Sequence, residues 1–290
     1  MRALVFGANG QDGHYLDALL RAEGVEVTGI SRSGPWRRGD VSRRSDVEDA
    51  MRTLRPDLVF HLAARSTTHH DAGLENHETI ATGTLNVLES AHRHVPEARV
   101  FIAGSGVQFE NSGEPVDETT PFEASSLYSV ARIQSVYAAR YYRSLGLKTY
   151  VGYFFHHESP LRKPSHMSKR VALAARRIAR EGGGRLEVGN ASVVKEWTFA
   201  GDVARAVLRL VQQDDVSEVV IGSGEGHSIE EWLERCFSIA GLAWRDHVDQ
   251  VPGFAVEYAR LISRPTRLRA LGWSPTVSFG ALAEMMMQED

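Results

Sequence analysis

Gly7-Ala8-Asn9-Gly10-Gln11-Asp12-Gly13 stands between an apolar run, Arg2–Gly7, and a helical pattern, Asp12–Glu23. The spacing is G-x-x-G-x-x-G. Glycines at such steps let a chain turn tightly from strand to helix. They also let a pyrophosphate approach the backbone and sit on the helix N-terminus. A glycine triplet alone is also what an ordinary tight turn looks like. Here the strand before it and the helix after it agree with a dinucleotide site. The candidate cofactor contacts in this turn are Gly7, Asn9, Gly10, Gln11, Asp12 and Gly13.

Outward from the turn, candidate strands follow at Glu26–Ile30, Leu58–Leu62, Arg99–Gly104 and Thr149–Phe155. Helical stretches lie between them at Ser45–Leu54, Leu74–His94 and Ser126–Leu145. Strands alternating with helices require crossovers and a parallel sheet. Runs apolar on both faces require helices on each side. The expected fold is α/β: a Rossmann-like doubly wound parallel sheet with a smaller C-terminal substrate-binding lobe. The dinucleotide domain is expected over residues 1–157. Residues 158–290 mix basic and glycine-rich pieces with short elements such as Glu218–Ile221 and Ser228–Ala240. They are expected to form mainly the substrate lobe, with some segments returning to the main sheet.

Composition sets the outer limits. Over 290 residues, 42% are hydrophobic and 24% charged, which excludes disordered and low-complexity classes. Lys and Arg number 33 against 37 Asp and Glu, so there is no basic excess for nucleic acid. The single cysteine, Cys236, leaves no intramolecular disulfide and suits a reducing compartment. No apolar run approaches the ~18 residues that read as a membrane span. A cytoplasmic protein with no nucleic-acid or membrane partner is expected. The histidines form no helical i, i+4 pair beside a carboxylate, so no metal is expected.

The end of the second strand bears on the cofactor. An acid there would hold the ribose 2′-hydroxyl of NAD. The sequence instead reads Ser31-Arg32-Ser33. A guanidinium forks onto phosphate and a hydroxyl adds a donor, so NADP is expected. Arg37 and Arg38 are placed to share that role, and Asp40 and Val41 to flank the adenine. The chemistry is expected further on. Tyr128 and Arg132 are four residues apart and share one helix face. A phenol beside a fixed cation ionises more readily, which suits a general acid or base. Ser105, after the Arg99–Gly104 strand, is the matching hydroxyl for a substrate oxygen.

Several segments carry a resemblance to a known family. They are Gly10-Gln11-Asp12-Gly13, His61-Leu62-Ala63-Ala64-Arg65-Ser66, Gly83-Thr84-Leu85, Glu118-Thr119-Thr120-Pro121-Phe122, His157-Glu158-Ser159-Pro160, Val188-Gly189-Asn190, Lys195-Glu196-Trp197 and Leu271-Gly272-Trp273. The chain resembles the extended short-chain dehydrogenase/reductases of the nucleotide-sugar epimerase/dehydratase group. Within it, the likeness is greatest to GDP-mannose 4,6-dehydratases and their sister GDP-4-keto-6-deoxymannose reductases. It covers nearly the whole chain.

The resemblance implies oxidation or reduction at C4 of a nucleotide-linked hexose, with a GDP-hexose as the expected substrate. Tyr128 would exchange a proton with the C4 oxygen, Ser105 would orient it, and Arg132 would hold the nicotinamide ribose. Leu62, Ala63, Ala64 and Phe155 would line the cofactor. Ser66, Val107, His156 and Glu158 would lie by the substrate. Lys169, Arg170 and Lys195 are candidate cations for its diphosphate, and Asn190 lies near its base or ribose. A homodimer through Leu74–His94 and Ser126–Leu145 is implied, with Val136, Tyr137 and Tyr141 available to fill it.

Four departures from the family pattern surround one site. Arg132 replaces the usual lysine. Gly106, Val107 and Gln108 stand where dehydratases carry the glutamate that removes the C5 proton; Glu110 is the nearest carboxylate. His156 and Ile80 each replace an asparagine. The resulting expectation is 4-ketosugar reduction. The alternatives are 4,6-dehydration with a displaced base, another epimerase or decarboxylase reaction, or a binder without turnover.

Overall fold

The computed structural model describes residues 1–288. Seven strands form one wholly parallel sheet: β1 (Arg2–Phe6), β2 (Glu26–Ser31), β3 (Arg37–Arg38), β4 (Leu58–His61), β5 (Arg99–Ser105), β6 (Lys148–Phe154) and β7 (Glu218–Ile221). Their order is β7-β6-β5-β4-β1-β2-β3. The order reverses between β1 and β4, and a ligand crevice is expected outside the carboxyl ends at such a switch point.

Alternation along each strand builds two separate cores. Leu4 and Phe6 of β1, Val59 of β4 and Val100 and Ile102 of β5 face one side. There they meet α2 (Arg44–Leu54), α3 (Gly83–His94) and α4 (Leu127–Ser144), through residues such as Met51, Leu88 and Val136. Ala3, Val5, Phe60 and Phe101 face the other side, against Leu16 and Leu20 of α1 (Gln11–Ala22) and Val203 and Val207 of α6 (Ala200–Val211). Burial on both faces is why these strands read as continuous apolar runs rather than alternating ones.

A third core, apart from the sheet, stacks Trp197 on Trp232 with ring centroids 4.4 Å apart. It joins α5 (Met167–Glu181), α7 (Ile229–Ile239) and α8 (Phe279–Met287). Val136, expected at a dimer surface, is instead fully buried in the first core. Tyr137 and Tyr141 on the same helix are exposed. Among the described residues, no helix is long and apolar enough to cross a membrane.

Candidate active site

A cavity of about 670 Å³ opens at the switch point. Its walls include Gly7, Asn9, Gly10, Gln11, Asp12 and Gly13 from the first turn. Ser31, Arg32, Asp40 and Val41 come from the second crossover, and Leu62, Ala63, Ala64 and Ser66 from the loop after β4. The three glycines differ in purpose. Gly7 has φ +90°, and a Cβ there would lie 2.7 Å from the Ala63 nitrogen; one at Gly13 would lie 2.6 Å from the Ala8 Cα. Both are closed by backbone. At Gly10, by contrast, the nearest atom to an added Cβ is the Gly7 oxygen at 3.4 Å. Gly10 caps α1 without any side-chain hydrogen bond. The helix N-terminus therefore meets open space, as a pyrophosphate requires. These residues fit a dinucleotide.

Gln11 and Asp12 also tie the turn to the rest of the chain. The Ser159 hydroxyl donates to Gln11 Oε1 over 2.9 Å, and His157 Nε2 lies 2.9 Å from Asp12 Oδ1. Two motifs 145 residues apart in sequence thus pair in space. Burial alone would raise the Asp12 pKa, but the charge and hydrogen bond of His157 outweigh it and lower it below 3.8. Burial also disfavours charged His157, yet Asp12 raises it above its ordinary 6.5. The raised imidazole stabilises the fold below pH 6.5 and loses that effect as pH rises through its folded pKa. The lowered carboxylate stabilises it above 3.8 and loses the effect on acidification. Asp12→Asn should therefore lower the melting temperature most between about pH 4 and 6.5, and least in alkali. Equal lowering at all pH values would show that the pair carries no charge.

The candidate catalytic residues Tyr128 and Arg132 stand at the start of α4. Ser126 caps the helix: its Oγ accepts from the Ser129 amide at 3.1 Å while Ser129 Oγ accepts from the Ser126 amide at 2.8 Å. That places Tyr128 in the first turn and Arg132 one turn later. Arg132 Nε lies 3.2 Å from the Tyr128 hydroxyl, and its Nη1 donates to the Ala103 carbonyl of β5. Arg132 is buried, so its charge is held by that strand rather than by water. Ser105 ends the same strand. Tyr128 packs with Ile80, Ala81, Ala131 and Ala64, and Ala64 is also a wall of the large cavity.

Below this cluster, burial and the nearby Arg132 charge push His61 down to about 3, leaving it neutral. Val107 is partly buried against the first core. Gln108 is buried, and its amide oxygen accepts from the Ser105 amide at 2.8 Å. Glu110 is exposed.

A second cavity of about 290 Å³ lies in the C-terminal lobe, with Arg170, Asn190 and Lys195 among its walls, together with Phe254 and Tyr258. Burial pushes Lys195 down to about 8, and its Nζ stands 5.3 Å over the Trp197 ring. Lys169, Glu158 and Phe155 line neither cavity, and neither do the expected site residues Ser105, Val107, Tyr128, Arg132 and His156. Lys169 is buried and its Nζ donates to the Pro160 carbonyl at 2.9 Å, so it braces that loop rather than lining the cavity. Glu158 spends both oxygens internally, on His156 Nε2 at 2.9 Å and Arg162 Nε at 2.6 Å. Burial would raise Glu158, but Arg162 and His156 hold it well below the carboxylate range, so it acts as a buried counter-ion. Phe155 is buried against Gly106, away from the cleft wall. His156 also bonds the Glu196 carbonyl at 2.6 Å, so both of its ring nitrogens face acceptor oxygens.

A family model described as GDP-mannose 4,6 dehydratase matches residues 33–286. The chain belongs to that family. GDP-mannose 4,6 dehydratase 1 of Arabidopsis thaliana is 31% identical over 99% of this chain and 89% of its own length. The GDP-mannose 4,6-dehydratase of Vibrio cholerae is 26% identical over 100% of this chain and 93% of its own. Among solved structures, UDP-glucose 4-epimerase of Thermus thermophilus, complexed with NAD, has a TM-score of 0.85 at 25% identity. It covers 99% of this chain and 98% of that one.

Within the GDP-mannose 4,6-dehydratase family, the expectation of a 4-ketosugar reductase is not the one these relatives favour. Their names favour the dehydratase alternative. Further residues of the large cleft were not among the expected contacts. Arg65 and Thr79 line it, and Arg162, Lys163 and His166 approach it from the segment after Pro160. The basic run Arg162-Lys163 was the available signal. Thr79 lies in a π-helical turn, His77–Thr82, that no local pattern announces.

Proposed function

We propose that this protein is a GDP-hexose enzyme of the 4,6-dehydratase type, with NADP in the switch-point cleft and the sugar nucleotide reaching the second cavity. The observation that carries the reading is Arg132 held between the Ala103 carbonyl and the Tyr128 hydroxyl, with Ser105 two residues beyond Ala103 on the same strand. A bound nicotinamide supplies the capacity to take hydride from the sugar and return it. Tyr128 takes the proton from the C4 hydroxyl. Ser105 donates a hydrogen bond that orients that oxygen. Arg132 places a permanent positive charge 3.2 Å from the phenol oxygen, which must bear negative charge during the transfer. Arg170, Lys195 and Asn190 bind the nucleotide diphosphate end. Residues 1–157, completed by α6 and β7, form the NADP domain on this reading.

A second reading, reduction of a 4-keto sugar, is favoured by Val107 and Gln108. Neither can remove a C5 proton, and reduction at C4 needs none. Supplying GDP-4-keto-6-deoxymannose with NADPH separates the two. On the dehydratase reading NADPH is not consumed in stoichiometric amount; stoichiometric oxidation of NADPH would favour the reductase.

We infer a homodimer as well. Tyr137 and Tyr141 are 58% and 60% exposed on α4, and Leu85 on α3 is 51% exposed. Large apolar side chains so exposed on adjacent helices fit an interface between copies. Light scattering should give the mass of two chains. A tetramer, or a monomer at micromolar concentration, would count against this face.

A further inference from the structure

The guanidinium expected to read a 2′-phosphate already holds an anion. Arg32 Nη2 lies 2.9 Å from Glu75 Oε1, and Arg65 Nη1 lies 3.0 Å from Glu75 Oε2. Arg32 follows β2 and Arg65 follows β4, and both line the cleft while Glu75 does not. One carboxylate therefore straps together the two walls at the end where Ser31 and Ser33 stand. The Arg32 backbone is held in turn, because the Arg38 guanidinium donates to its carbonyl. Hydrogen bonding from Arg32, reinforced by Arg65, keeps the Glu75 pKa below its ordinary value, so the strap is charged at neutral pH. Two guanidiniums turned on one oxyanion form an arrangement that also suits a phosphate.

We propose that Arg65 is a second ligand of the 2′-phosphate of NADP, and that Glu75 is a resident anion which that phosphate displaces. The proposal rests on the reading that this cleft takes a nicotinamide dinucleotide. NAD has no 2′-phosphate, so it leaves the strap closed. NADP brings a more highly charged group to the same two guanidiniums and competes with a single carboxylate. Glu75 thus lowers the preference for NADP that Arg32 and Arg65 create. The three side chains are about one-third to one-half exposed, so each ion pair is partly screened by water.

The test is calorimetric binding of NADP and NAD to the parent protein and to Glu75→Gln, Arg65→Ala and Arg32→Ala. Glu75→Gln should tighten NADP about two- to fivefold, in line with an exposed ion pair, and leave NAD unchanged. Arg65→Ala and Arg32→Ala should each weaken NADP by about tenfold or more with NAD little altered. All three effects should shrink at high salt. The proposal is overturned if Glu75→Gln leaves the NADP-to-NAD ratio unchanged or lowers it, or if Arg65→Ala weakens both dinucleotides alike. If only Arg32→Ala moves the ratio, the NADP reading stands and this proposal falls. If the parent binds neither dinucleotide, the cofactor reading itself fails and this proposal fails with it.

Discussion

Tyr128→Phe is expected to remove turnover of any GDP-hexose while leaving NADP bound as tightly as in the parent. The hydroxyl is the only part removed, and its recorded partner is Arg132 at 3.2 Å. Arg132 cannot take over the proton, because a guanidinium stays protonated throughout the accessible pH range. Ser105 carries a hydroxyl, but Gly106, Val107 and Gln108 after it supply no base; the hydrogen bond made by its amide goes to the Gln108 amide oxygen. Loss of a positioned acid or base commonly costs ~10²–10⁴-fold in rate. Product formation followed by chromatography should fall by at least two orders of magnitude, with the calorimetric affinity for NADP within a factor of about two. A variant retaining more than a tenth of the parent rate would remove Tyr128 from the chemistry.

Val107→Glu is expected to speed dehydration of GDP-mannose by at least tenfold. Removal of the C5 proton needs a base, and the loop after β5 offers Gly106, Val107 and Gln108. Gln108 is buried and bonded to the Ser105 amide, and an amide cannot accept the proton. Val107 is only partly buried, so the first core does not wholly enclose its side chain. The same burial sets a penalty: a carboxylate against the first core loses hydration and should lower the melting temperature. Val107→Gln separates the two effects. It has the same length and no basicity, so it should be destabilised without being faster. Acceleration by the glutamine variant would mean that loop shape, not a base, limits the parent.

The main sheet was legible because its strands are buried on both faces. β1, β2, β4, β5 and β6 each end within a residue or two of the runs read from sequence. β3 is only Arg37 and Arg38, and two residues carry no period to read. β7 was visible as a strand, but nothing local to Glu218–Ile221 says that it pairs with β6.

The site shows the same division. Tyr128 and Arg132 were readable together because four residues on a helix make nearly one turn. Lys169 and Arg170 were not separable by the same argument. One residue step turns the side chain through ~100°, which sends Lys169 under the Pro160 loop and Arg170 to the cavity wall. The segment His157-Glu158-Ser159-Pro160 marked the family correctly without showing which way it faced. Its His157 and Ser159 bind Asp12 and Gln11 of the glycine turn, and its Glu158 is consumed by His156 and Arg162. Glu75 carried no motif, and its pairing with Arg32 exists only once two loops meet.

The most direct test of the account is the product formed when purified protein is incubated with GDP-mannose and catalytic NADP. Slow formation of GDP-4-keto-6-deoxymannose is expected, absent in the Tyr128→Phe control and without net change in NADP. No keto sugar from a preparation that binds both NADP and GDP-mannose would contradict it, as would product formation that survives in the Tyr128→Phe control.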